Sequence, residues 1–116
     1  MSALSVEGGR AMAESPLEAQ LAWQVKLAGL PTPQREARFH PTRRWRLDFY
    51  WAEQQVACEV DGATWSHGRH ARGAGIESDC EKYAEALLQG IRVLRVTAKM
   101  IEAGSALAYL QRLLTP

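Results

Sequence analysis

Cysteine, lysine and long apolar runs are what this chain of 116 residues has least of. Its two cysteines, Cys58 and Cys80, cannot make a disulfide framework, and neither stands in a C-x-x-C pair. A cysteine-stapled secreted scaffold is therefore excluded, and both are expected as free, buried thiols. No apolar run approaches the ~20 residues of a membrane span, and Met1 to Ser15 has no apolar segment behind a basic end. The expectation is a cytoplasmic protein with no membrane partner. The length leaves room for one core and no second domain. Residues 1–14, without periodicity and with a Gly8-Gly9 pair, are expected as a mobile leader, and 15–116 as the single domain.

Net charge is also scarce, at +1, but it is unevenly spread. Arg35, Arg38, Arg43, Arg44 and Arg46 stand against one acid, Glu36, and a second basic cluster, Arg69-His70-Ala71-Arg72, lies in a glycine-rich stretch. Glu77, Asp79, Glu81 and Glu85 surround a single Lys82. Eleven of the 14 basic residues are arginine, whose planar fork pairs bidentately with phosphate, a pointer to nucleic acid. Taken alone, either cluster can equally be a solvated face.

Periodicity orders the chain. Ser15-Pro16-Leu17-Glu18 carries an N-cap serine, a proline at the first helical position and a glutamate at the third, a capping box. Leu17, Leu21, Val25 and Ala28 then recur at helical spacing until Gly29, Pro31 and Pro33 stop the helix. From Arg35 the period becomes two: a short strand over Arg35–His40, a turn at Pro41-Thr42 with His40 as a turn residue, and a strand over Trp45–Trp51. In that strand Leu47, Phe49 and Trp51 are expected on one face and Arg46, Asp48 and Tyr50 on the other. A strand over Val56–Asp61 follows, with Val56, Cys58 and Val60 opposite Ala57, Glu59 and Asp61. Gly62 to Gly75 is a long glycine-rich loop of the kind that is usually functional or mobile. Ile76–Gln89 has the 4-3-4 spacing of a helix, with Ile76, Cys80, Tyr83 and Leu87 as its core face. A strand over Ile91–Val96 precedes a last helical stretch capped by Thr97, carrying Met100, Leu107, Leu110 and Leu114, and breakable at Gly104-Ser105. The order α-β-β-β-α-β-α, with a β-α-β crossover, gives an α/β fold: a mixed sheet flanked by helices with a C-terminal helix.

Asp48, Glu59 and Asp61 are acids on two neighbouring strands. Glu59 and Asp61 share a face, and a link of about four residues can bring Asp48 opposite them. Facing carboxylates repel, so they need a cation or basic side chains, and Mg²⁺ or Mn²⁺ suits a set of hard oxygen donors. The alternative is an ordinary solvated strand face.

At these residues the sequence resembles the PD-(D/E)XK nuclease superfamily, and more narrowly the very-short-patch-repair-like endonucleases and their small phage-encoded relatives. The resemblance spans about residues 15–103. It rests on Arg44-Trp-Arg-Leu-Asp48-Phe, Glu59-Val-Asp61-Gly62, Trp65-Ser-His-Gly-Arg-His70-Ala-Arg72-Gly73, and Asp79-Cys-Glu-Lys82-Tyr83 with Gly90-Ile-Arg-Val-Leu-Arg-Val-Thr97. It implies a restriction-endonuclease-like α-β-β-β-α-β core and Mg²⁺- or Mn²⁺-dependent hydrolysis of DNA phosphodiester bonds, with DNA as partner and a homodimer left open.

Carried over, the resemblance makes Asp48 and Glu59 metal-binding acids and the Val60 carbonyl a further ligand. Glu18 is another candidate, set against its local role in the capping box. Asp61 stands where the superfamily's catalytic lysine usually does. Either Asp61 is itself a ligand and a histidine moves the proton, or a lysine arrives from elsewhere. Lys82 is then the candidate, against a surface pairing with Asp79 or Ser78. Of the loop histidines, His70 is preferred to His67 as proton donor to the leaving oxygen. Arg43, Arg44, Arg69 and Arg72 are expected on flanking phosphates. Trp65 either stacks on an unpaired base or covers the loop, while Trp23, Trp45 and Trp51 are expected in the core or at its rim. Two rivals stand beside the nuclease: a catalytically weak or inactive DNA-binding module on the same fold, and an assembly protein whose basic hairpin meets an acidic partner.

Overall fold

A computed structural model describes residues 15–61 and 74–116. Helix α1 spans Pro16–Leu27, and the Ser15 hydroxyl accepts the Glu18 N–H at 3.1 Å, satisfying one of the orphan donors at the helix start. Strands β1 (Gln34–Arg38), β2 (Arg46–Trp51) and β3 (Val56–Asp61) form an antiparallel meander. Helix α2 (Ala74–Leu88) then carries the chain to β4 (Arg92–Thr97), parallel to β3, and the sheet order is β1-β2-β3-β4. Helices α3 (Ala98–Ala103) and α4 (Ser105–Leu114) close the fold. Thr97 caps α3 through the Met100 N–H, and Gly104, at φ 88°, parts the two helices in the left-handed region where a side chain is strained. The expected α/β architecture, a mixed sheet between helices, is the one observed.

Two apolar layers hold the sheet. On one face Phe49, Trp51, Val56, Cys58 and Val96 pack against Leu21 and Val25 of α1, Ile101 of α3, and Leu110 and Leu114 of α4. On the other, Leu47, Ala57 and Ile91 pack against Ala86 of α2.

Three expectations of facing need correction. Leu47 belongs with Ala57 beneath α2 and not with Phe49 and Trp51. The alternation slips at Asp48, where the β1–β2 register pairs Arg35 with Phe49 and Ala37 with Leu47 but leaves Glu36 and Asp48 unpaired, Glu36 having φ 50°. The 4-3-4 apolar stripe of α2 is not its core face. Ile76 and Leu87 are 52% and 73% exposed and Cys80 is an exposed thiol, so only Cys58 fits the expected burial. The inward side of α2 is mostly polar and finds polar partners: Ser78 accepts from the Trp45 indole N–H at 3.2 Å, and Glu85 meets the His40 ring at 3.2 Å. Trp23, expected at the core or its rim, is 63% exposed.

Candidate active site

Where β2 and β3 run together, their ladder ends at Phe49 and Cys58. Beyond it, side chains replace backbone partners. The Asp48 N–H donates to Glu59 Oε2 at 2.7 Å, and the Val60 N–H donates to Asp48 Oδ2 at 2.8 Å. Each carboxylate thus satisfies a donor on the opposite strand, which a simple continuation of the ladder would have used. The β-slip at Asp48 and the left-handed Glu36 opposite it belong to the same distortion.

The distortion brings Asp48 to Glu36 of β1 and Glu18 of α1. One carboxylate oxygen from each of the three lies within 4.8 Å of the others, all half-buried. Arg35 offsets part of the charge, with its guanidinium 3.5 Å from Glu18 Oε1 and stacked over the Phe49 ring at 4.3 Å. Burial is the first cause that raises the Asp48 carboxyl from its ordinary range to about 6. The negative charges of Glu59 and Glu36 add to it, against the Val60 hydrogen bond and Lys82. The donors are oxygens only, a set that suits a small hard cation.

Glu59, 8% exposed, faces α2. Its Oε1 accepts from Lys82 Nζ at 2.6 Å and from the Tyr83 hydroxyl at 3.0 Å, both side chains of the pair Lys82–Glu59 being about nine-tenths buried. With Oε2 taken by the Asp48 N–H, the carboxylate is locked by three donors. Burial, and after it the Glu59 charge, pushes the Tyr83 hydroxyl well above the usual tyrosine range, so it stays a donor. Burial likewise raises the Cys58 thiol, which stays protonated within the core.

Of the residues singled out in the sequence, Asp48, Glu59 and Lys82 lie together, with Glu18 on the far side of Asp48. Lys82 bonds Glu59 and not the surface partners Asp79 or Ser78. Asp61 is drawn away to Arg95, at 3.1 Å, and Val60 gives its N–H to Asp48 while its side chain joins the core. Arg43 lies over the Trp45 ring at 4.1 Å with Nη1 3.4 Å from Glu81, and Arg44 is exposed beside it. Trp45 is enclosed by Arg43, the stacked Phe39 ring and the edge of His40, and Trp51 is buried with its N–H on the Pro31 carbonyl. His40 is the turn residue expected of it: its Nδ1 accepts from the backbone N–H of Thr42 and Arg43 at 3.3 and 3.0 Å. Trp65, His67, Arg69, His70 and Arg72 lie outside the described residues, as does the leader. Sequence reading missed two members. Glu36 was visible only as the lone acid of an arginine-rich stretch, and Tyr83 was absorbed into an apolar stripe that the helix does not bury.

No family model and no curated protein matches the sequence. The fold is similar to that of the catalytic domain of the homing endonuclease I-Bth0305I, with a TM-score of 0.62 and 18% identity, over 86% of this chain and 94% of that one. At that identity the likeness is one of fold.

Proposed function

We propose that this protein is a metal-dependent DNA endonuclease. The observation that carries the reading is the half-buried cluster of Glu18, Glu36 and Asp48 beside the locked Lys82–Glu59 pair. The similarity to a homing endonuclease catalytic domain supports the same class. Glu18, Glu36 and Asp48 would hold Mg²⁺ or Mn²⁺, with Glu59 adjoining through its contact to the Asp48 backbone. A divalent cation there supplies charge neutralisation at the phosphate and a more acidic water for attack.

The chain's own groups do the rest. Lys82 presents a fixed ammonium at Glu59 Oε1, where it stabilises negative charge that grows nearby, the task that the superfamily's E-x-K lysine would have performed where Asp61 stands. Tyr83 and the Asp48 N–H keep the Glu59 carboxylate from rotating. Arg43 and Arg44 are assigned to flanking phosphates, as are Arg69 and Arg72, and a histidine, His70 ahead of His67, to the leaving oxygen.

Incubating supercoiled plasmid with the protein and Mg²⁺ or Mn²⁺ tests this reading. Wild type should convert plasmid to nicked or linear forms, and Asp48→Ala should not. Plasmid binding without conversion by wild type would instead favour the DNA-binding module, the reading that Asp61's pairing with Arg95 in place of a catalytic lysine would explain.

A further inference from the structure

Arg38 and Arg46 are direct partners across the β1–β2 ladder, at the end where the 39–45 turn joins the two strands. Both are exposed, and among the described residues neither forms a side-chain ion pair or hydrogen bond. Like charges directly opposite one another destabilise a sheet, so folding alone does not account for the pair. The facing of the strands says where they point. Leu47 packs in the layer beneath α2, so Arg46, one residue along β2, turns to the opposite face, and Arg38, its register partner, turns with it. That is the side that α1 covers, and Glu18 of α1 reaches Glu36 and Asp48 from there.

Arg46 is two residues from Asp48 and Arg38 two from Glu36, about 7 Å along each strand at the usual rise. A pair of unpartnered guanidiniums therefore stands one short step from the acid cluster, on the same face. Beyond them the turn adds the exposed Arg44 and Arg43, the latter set flat on Trp45. Because Phe39 and Arg43 flank the Trp45 ring, the hairpin offers cations and no open ring for base stacking.

We infer that the Arg38–Arg46 pair is a binding site for the phosphodiester backbone of duplex DNA, engaging the phosphates that neighbour the one at the acid cluster. A polyanion between the two guanidiniums removes the repulsion that the empty ladder carries, and bidentate Arg–phosphate contact fixes register without reading bases. This inference rests on the nuclease reading for the identity of the polyanion.

The test is the salt dependence of binding to a short duplex DNA, measured by fluorescence anisotropy on the full chain in EDTA. Arg38→Gln/Arg46→Gln should flatten the log–log slope by about 1.8, two contacts at about 0.9 each, and Arg46→Gln alone by about 0.9. Arg38→Lys/Arg46→Lys should keep the wild-type slope. The melting temperature of the glutamine pair should not fall, since only repulsion has been removed. An unchanged slope in the glutamine pair overturns the inference, as does wild-type binding to phosphatidylserine vesicles in the absence of DNA binding. Plasmid cleavage reports separately on the nuclease: a flattened slope in a protein that does not cut leaves the phosphate site standing and removes the enzyme, while cutting with an unchanged slope does the reverse.

Discussion

Asp48 is the residue whose protonation couples most directly to stability and, in the proposed site, to cation binding. Its carboxyl, raised to about 6 chiefly by burial, binds a proton more tightly in the native chain than in the unfolded one, where the ordinary value near 3.8 returns. Its contribution to stability is therefore full below about pH 4 and lost as the pH rises through about 6, while neighbouring carboxylates follow their own courses. Calorimetric melting in EDTA should show this as a difference between wild type and Asp48→Asn. The variant, whose amide oxygen can still accept the Val60 N–H, should gain on wild type between pH 4 and pH 6 and stay ahead above it. Parallel profiles would mean that the carboxyl is not perturbed. Lys82 gives a second residue-scale test. A surface pairing with Asp79 would be worth about 0.5 kcal/mol or less. The buried pair with Glu59 makes Lys82→Met cost about 3 kcal/mol, because a carboxylate is left without its partner. Adding Glu59→Gln should recover part of that loss, and chemical denaturation of the single and double variants measures it. If Lys82 also acts in cleavage, the single variant should cut roughly 10²-fold more slowly than its residual folded fraction explains.

Among the elements, α1 shows how one residue can serve two ends. Glu18 sits where a capping box wants it, and its N–H is the donor to Ser15, yet its carboxylate lies with Glu36 and Asp48. Ser15→Ala should lower stability by about 1 kcal/mol and leave any cation response intact. Glu18→Gln should do the opposite, sparing stability in EDTA and weakening the rise in melting temperature expected with Mn²⁺. A Glu18→Gln protein with a full Mn²⁺ response would confine Glu18 to the helix start. Element by element, order and type were legible because caps, glycines and changes of period are local signals: Ser15, Thr97 and Gly104 each act where the sequence put them. The facing of β2 and α2 was not. Period two cannot register the slip at Asp48, which depends on Glu36 of another strand, and period 3.6 cannot tell an apolar stripe that is buried from one left outside. In α2 the polar side turned inward because Glu59, Trp45 and His40 were waiting there with partners.

At the scale of the molecule, the apolar layer supports the strand that carries Asp48 of the acid cluster. The layer of Phe49, Trp51, Val56, Leu21, Ile101 and Leu110 anchors β2 and β3 from below the point where they part. Leu110→Ala, which empties a fully buried site far along α4, should cost about 3 kcal/mol of stability while leaving the Mn²⁺-induced shift unchanged. Asp48 and Glu59 could be read together in the sequence because a short hairpin link forces neighbouring strands to face each other. Glu36 could not, since its approach requires β1 on the outer side of β2 and a left-handed backbone at that one residue. The central claim is that Glu18, Glu36 and Asp48 form the seat of a divalent cation. Titration calorimetry with Mn²⁺ at pH 7.5 tests it most directly: wild type should bind one ion, and Asp48→Asn and Glu36→Gln should each lose that binding while remaining folded. Equal Mn²⁺ binding by wild type and both variants would contradict the claim and put the cation elsewhere.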